Sequence, residues 1–292
     1  MIEDFLVNEE WRNIATGMTA FCIFGGPSTK TIANEKLQDI ILNNFSVTVN
    51  NNIKFYKDIS MYLTSDNKPS RKYFENDKGF FTLRQKHKNK QMNIEYNSEY
   101  IQNEDMIKIL ISQDHTSNNY NIDKGQIYID HARRYAKLHK NVWIAREWAD
   151  KKGYFFPHLH EKWEGCLESY GGDPQNLHAA GNMGNMTIQF LWYMGFDKVI
   201  TTGFGDCGNS MGYENEKNYH GNSNFEWSNW ETDCIPIHEK KWSGNRELKI
   251  LKGGEILKSF GNFRDADEED LIGNAPQKAL LIKKIKDLRG IK

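Results

Sequence analysis

Gly25-Gly26-Pro27-Ser28 stands at the exit of the chain's first apolar run, Thr19 to Phe24. One glycine is enough for a tight turn, and a second lets another group come up against the backbone. Three other stretches share this chemistry: Asn50-Asn51-Asn52 after an apolar run, GFGDCGNS (203–210) after KVITT, and AGNMGNM (180–186), which opens an apolar helical pattern. Glycine, asparagine and serine offer free N–H groups and neutral side-chain hydrogen bonds, which suit a phosphate or a ribose. Taken singly, each loop is also an ordinary turn, with Ser28 as a helix N-cap. Neither GxGxxG nor the Lys-Ser/Thr ending of a P-loop is present. The conjunction of four such loops argues for a site more strongly than any one of them.

Other residues carry chemistry with an equally plain structural reading beside it. Asp66, after the apolar MYLT, can orient a ribose or a catalytic group, or simply cap a turn. His158 and His160, with Glu161, have the types for a metal pair, and equally for a loop with stacked aromatics. Asp265 and Asp267 form an Asp-x-Asp, but within the acidic run DADEED, which reads as a solvated face. Lys283, Lys284, Lys286 and Arg289 read as the solvent-facing basic end of a helix. Trp227, Trp230 and Trp242 serve either as platforms for sugars and bases or as buried rings at a seam.

The elements that must position these residues follow from periodicity. Residues 1–18 read as an amphipathic lead-in. Strands are expected at 19–24, 46–50 and 59–66, with a helix over 31–45 between the first two. FTLRQK (81–86) reads as a strand, and 93–113 mixes both periods. Helical character returns over 131–155. GNMTIQFLWYMG (184–195) reads as a buried helix ended by Gly195, feeding a strand that begins at Lys198. The tail from Ala275 reads as an amphipathic helix packed across the body. This order predicts an α/β fold: a doubly wound, mostly parallel sheet. Its core is expected from 1–66 and 176–292, with 67–175 as an inserted or elaborating region that supplies an acceptor-side lobe or lid. Ligands of such sheets lie outside the carboxyl ends of the strands.

Composition sets the outer bounds. The 292 residues can bury a substantial core, and a net charge of −1 supplies no global basic field for nucleic acid or anionic membrane. A local basic stretch around Arg71–Lys90 is the one counterweight. Aromatic residues make up 13% of the chain, which argues against disorder. The four cysteines, Cys22, Cys166, Cys207 and Cys234, form no CxxC pair, so a reducing cytoplasm is the expected compartment. No apolar run approaches the roughly 18 residues of a membrane span.

The stretches AFCIFGGPSTKTI, SVTVNNNIKFYKDISMYLTSD, GNMGNMTIQFLWYMGFDKVITTGFGDCGNSMGY and NYHGNSNF resemble the metal-independent, sialyltransferase-like glycosyltransferases of bacterial surface-glycan pathways. They are also similar to a related Rossmann-type family of unknown-function and pterin-pyrophosphokinase-like proteins. The resemblance implies a Rossmann-like core in a GT-A-like variant. It places Gly25, Gly26, Pro27 and Ser28 against nucleotide phosphates or ribose, and Asn50 or Asn51 on the donor nucleotide. It further places Asn182, Met183 and Gly184 at base and sugar, Asp206 at a strand end, and His220 as general base. Gly-Gly-Pro-Ser stands where the family has Asn or Cys before the second glycine, GFGD brings its aspartate one residue late, and Met183 replaces a small hydroxyl residue. A CMP-sialic acid donor is therefore not carried over.

An imidazole with an ordinary pKa near ~6.5 suits removal of a proton from an acceptor hydroxyl at neutral pH. Tyr213 and Tyr219 then become candidate donors to the leaving phosphate. The expectation is a transferase that takes a nucleotide-sugar donor and a hydroxyl acceptor, a glycan or a modified nucleobase, with no tightly bound cofactor. Its Asn- and Lys-rich composition suits an AT-rich bacterium or a phage. Two alternatives stay open: an ATP- and Mg²⁺-dependent pyrophosphokinase-like enzyme with Asp66 and Asp206 near the metal, and a non-catalytic nucleotide-binding module.

Overall fold

The structure is a computed structural model that describes residues 5–24, 34–65, 80–84, 91–95, 103–113, 129–147, 174–175, 177, 183–202, 249–252, 264–265 and 272–291. Ten strands are present among them: β1 (Thr19–Ile23), β2 (Phe45–Val49), β3 (Met61–Thr64), β4 (Phe80–Arg84), β5 (Gln91–Glu95), β6 (Ile107–Gln113), β7 (Val142–Glu147), β8 (Lys198–Thr202), β9 (Lys249–Lys252) and β10 (Arg264–Asp265). Four α-helices accompany them: α1 (Asn34–Asn43), α2 (Ile129–Leu138), α3 (Met183–Met194) and α4 (Ala275–Asp287).

Eight strands form one sheet in the order β10-β9-β8-β1-β2-β3-β6-β7. Every neighbouring pair in it is parallel. The fold is the expected Rossmann-like, doubly wound α/β sheet. Strands β4 and β5 form a separate antiparallel pair. Strands β6 and β7, which lie within the segment 67–175, belong to the main sheet and not to a lobe beside it. The helical reading of 131–155 is corrected in the same region. Helix α2 ends at Leu138, and VWIARE, a continuous apolar run with charge only at its end, is the parallel strand β7.

Side-chain alternation divides the sheet cleanly. Ala20 and Cys22 of β1, Met61 and Leu63 of β3, and Trp143 and Ala145 of β7 join one cluster with α3. Phe21 and Ile23 pack on the other face with Leu37, Ile40 and Ile41 of α1. On the same side as α1, Leu110 and Ile144 pack on Ala132 and Tyr135 of α2. Helix α3 is apolar on nearly every side, as burial demands. It stops at Gly195, whose φ of +87° is a left-handed C-cap. Burial pushes the Cys22 thiol pKa upward, leaving it an inert core group.

Residues 5–7, together with Pro174 and Leu177, cover the outer edge of β7. Val7 N–H donates to Ile144 C=O and Leu177 N–H to Arg146 C=O, at 3.0 and 2.8 Å. The N-terminal stretch is anchored by Trp11, edge-on to Trp143 with ring centroids 5.4 Å apart. An otherwise open strand edge is thereby paired.

Helix α4 lies along the amino ends of the strands. Leu281 and Ile285 enter the main cluster, and its basic residues are engaged in a way the sequence reading did not foresee. Lys278 Nζ donates to the carbonyls of Ile41 and Leu42 at 2.7 and 3.2 Å, in the last turn of α1. Arg289 donates to Val142 C=O and, at 3.1 Å, to Ala136 C=O in the last turn of α2. Lys286 pairs with Asp105 at 2.6 Å. Lys286 and Arg289 are therefore not solvent-facing, whereas Lys283 and Lys284 are exposed. Cations here satisfy helix C-terminal carbonyls that have no partner within their own helix. Among the described residues no helix is long and apolar enough to cross a membrane.

Beneath this helix Lys108 is only 3% exposed. Its ammonium donates to Asn103 C=O and Met106 C=O, at 3.0 and 3.4 Å. Burial lowers its pKa to about 7, against a smaller opposing pull from Glu104, while Lys286 adds to the lowering. His139 is shifted down too, by burial first and then by the Lys108 charge. Between about 7 and the ordinary lysine value of ~10.5, the unfolded chain holds a proton that the folded chain has released. Stability must therefore rise with pH across that window, while below it the full cost of a buried charge remains. Thermal denaturation should give a higher Tm at pH 9 than at pH 6.5, and Lys108→Met should flatten the difference. An unchanged slope in that variant would assign the pH dependence elsewhere.

Candidate functional site

Because every strand of the main sheet runs the same way, the chain leaves each one at a single edge. Helices α1, α2 and α3 each lead directly into the amino end of the next strand, β2, β7 and β8. They run back against the strands, so their N-terminal turns lie at the same carboxyl edge. The strand order then picks out one place on it. From β1 the chain adds β2, β3, β6 and β7 to one side, and afterwards returns to add β8, β9 and β10 on the other. The topological switch point lies between β1 and β8, with α1 and α3 on opposite faces. Such crevices are where open α/β sheets bind ligands.

At this crevice Phe24 N–H donates to Thr202 C=O at 2.8 Å, and Ile23 is in register with Thr202. One strand further, Thr48 Oγ1 donates to Ile23 C=O at 2.9 Å. Beyond it Asn50 opens a 3-10 turn (Asn50–Phe55) with φ +48°, and its Oδ1 accepts a 2.9 Å bond from Thr64 Oγ1. The carboxyl ends of β8, β1, β2 and β3 are thus tied together. Thr202 stands out among these groups: it is 0% exposed, and its Oγ1 has no hydrogen-bond partner. A buried hydroxyl left unpaired costs about 1–3 kcal/mol. Alternation along β8 puts it on the same face as Ile200, the α1 face.

The positions expected from the sequence fall into two groups. Asn50 and Asn51 lie at the carboxyl end of β2, next but one to β8 in the sheet and about 10 Å from it. Met183 and Gly184 open α3. Met183 is 8% exposed and packs in the main cluster, so it offers a ligand its backbone more than its side chain. Gly25, Gly26, Pro27 and Ser28 follow directly on Phe24 and lie outside the described residues. So do Asp66, which follows Ser65 at the end of β3, Asn182, Asp206, Tyr213, Tyr219 and His220. His158, His160, Glu161, Asp267, Trp227, Trp230 and Trp242 lie outside them as well. Asp265 is in β10, in register with Lys252. Among the described residues no three His, Cys, Asp or Glu group as a metal site.

The sequence reading passed over Thr202 and also Ser112, a second fully buried hydroxyl without a partner, on β6. Both are polar residues near the carboxyl end of a strand, KVITT and IKILISQ, and that signal was available. What the sequence did not carry was their lack of partners.

Asn50 has two jobs, a left-handed backbone that asparagine tolerates better than most residues and the acceptor for Thr64. Asn50→Gly should keep the first and lose the second, at a cost of about 1 kcal/mol. Asn50→Ala loses both and should cost about 2 kcal/mol. Equal losses in urea denaturation would show that the backbone conformation contributes nothing. No family model, curated protein or solved structure matches this chain.

Proposed function

We propose that the chain is a glycosyltransferase that moves a sugar from a nucleotide-sugar donor to a hydroxyl acceptor without a tightly bound metal. The observation that carries the reading is Thr202 Oγ1, buried and without a partner beside the β1 carboxyl end at the switch point. A donor phosphate or ribose oxygen would give that hydroxyl its missing hydrogen bond. The glycine loop that follows Phe24 would let the same group approach the backbone.

In the proposed reaction the acceptor oxygen attacks the sugar carbon, and the bond from that carbon to the phosphate oxygen breaks. The electron pair leaves with the nucleotide. The acceptor proton passes to the His220 imidazole, and Tyr213 and Tyr219 donate hydrogen bonds to the leaving phosphate. Asp66 would orient the ribose. These roles rest on the family resemblance and on the chemistry of the side chains.

Two experiments test the reading. A panel of nucleotides and nucleotide sugars should include one that raises the melting temperature, since a ligand at 100 times its Kd adds ~2.7 kcal/mol. Thr202→Val should melt no lower than wild type without ligand, because it removes an unpaired hydroxyl and keeps the shape. The same variant should lose much of the shift with ligand. With the best donor, His220→Ala should reduce turnover in EDTA by about 10²–10⁴-fold while still binding that donor. Undiminished turnover would end the base assignment. Mg²⁺-dependent release of AMP from ATP, with no sugar nucleotide bound, would replace the transferase by a pyrophosphokinase.

A further inference from the structure

Ser112 lies near the carboxyl end of β6, in register with Arg146 on the neighbouring β7. Leu110, two residues earlier on the same face, packs against Ala132, Tyr135 and Ala136 of α2. Ser112 therefore faces the α2 side, near that helix's first turn at the carboxyl edge. It is 0% exposed and its Oγ has no hydrogen-bond partner. Three features share this face of the sheet: an unpaired buried hydroxyl, an arginine in register on the neighbouring strand, and the positive end of a ten-residue helix. Hydroxyl, guanidinium and helix N-terminus all favour an oxyanion.

We infer that Ser112 Oγ, Arg146 and the first turn of α2 form a second binding subsite, for a phosphate or carboxylate group of a small molecule. It is separate from the switch point. In the order β8-β1-β2-β3-β6 four strand spacings separate Thr202 from Ser112, about 19 Å. One small anion cannot touch both. That this subsite holds the acceptor rests on the transferase reading and implies an acceptor that carries an anionic group beside its hydroxyl. The anion site itself does not depend on that reading.

Inorganic phosphate and acetate are the probes, each titrated by calorimetry against the full-length protein at constant ionic strength. Saturable binding of either one that depends on Ser112 supports the subsite, and the tighter of the two such probes identifies the group it takes. Ser112→Ala and Arg146→Gln should each weaken that binding at least tenfold. Ser112→Ala should melt within 2 °C of wild type without anion, since the removed hydroxyl makes no hydrogen bond. Thr202→Val should leave in place the binding that Ser112→Ala weakens. The inference is overturned if neither probe binds, or if Ser112→Ala binds as wild type does. Loss in Thr202→Val alone would place the anion at the switch point and overturn it too. A protein that binds anions here yet no sugar nucleotide would keep the subsite and lose the transferase.

Discussion

The parallel ladder is the constraint from which the rest follows. Parallel strands cannot be joined by hairpins, so each connection must travel back over a face of the sheet. Both faces are then covered and both must be apolar, which is why β1, β2, β3 and β8 are buried almost end to end. The same requirement gathers helix N-termini at one edge and helix C-termini at the other. One end of the molecule is therefore rich in free N–H groups, and the opposite end in unpaired carbonyls.

The two edges are treated differently. At the amino edge α4 supplies cations to the carbonyls, through Lys278 on α1 and Arg289 on α2. Gly273, just before α4, comes so close to Asn43 that an added Cβ would stand 2.2 Å from its carbonyl oxygen. The packing at that edge has no room to spare. At the carboxyl edge Thr48, Thr64 and Asn50 satisfy one another or the backbone, while Thr202 and Ser112 do not. Buried hydroxyls without partners are exceptions that ask for an explanation. Both of these hydroxyls lie at the edge where such sheets bind ligands, which points to bound groups as the explanation.

Much of this was legible in the sequence. Strong apolar runs located β1, β2, β3 and β8, and the 3.6-residue period located α1, α3 and α4. Gly195 marked the end of α3 correctly. The strand β7 was lost in a helical reading because charged residues flank Trp143, Ile144 and Ala145, and the turn at His139-Lys140-Asn141 was not recognised. The partners of Lys278 and Arg289 were invisible because they are backbone carbonyls well over a hundred residues away. Strand order was illegible for a similar reason. Whether β8 returns beside β1 or extends the sheet past β7 depends on a long crossover that periodicity does not describe.

The central claim is that ligand binding belongs to the crevice between β1 and β8. Amide hydrogen exchange, with and without a nucleotide sugar shown to bind, tests it most directly. Slowed exchange centred on the carboxyl ends of β1 and β8, with the strand starts beneath α4 unchanged, is the outcome this account requires. Protection confined to the amino edge, or spread evenly over the sheet, would contradict it.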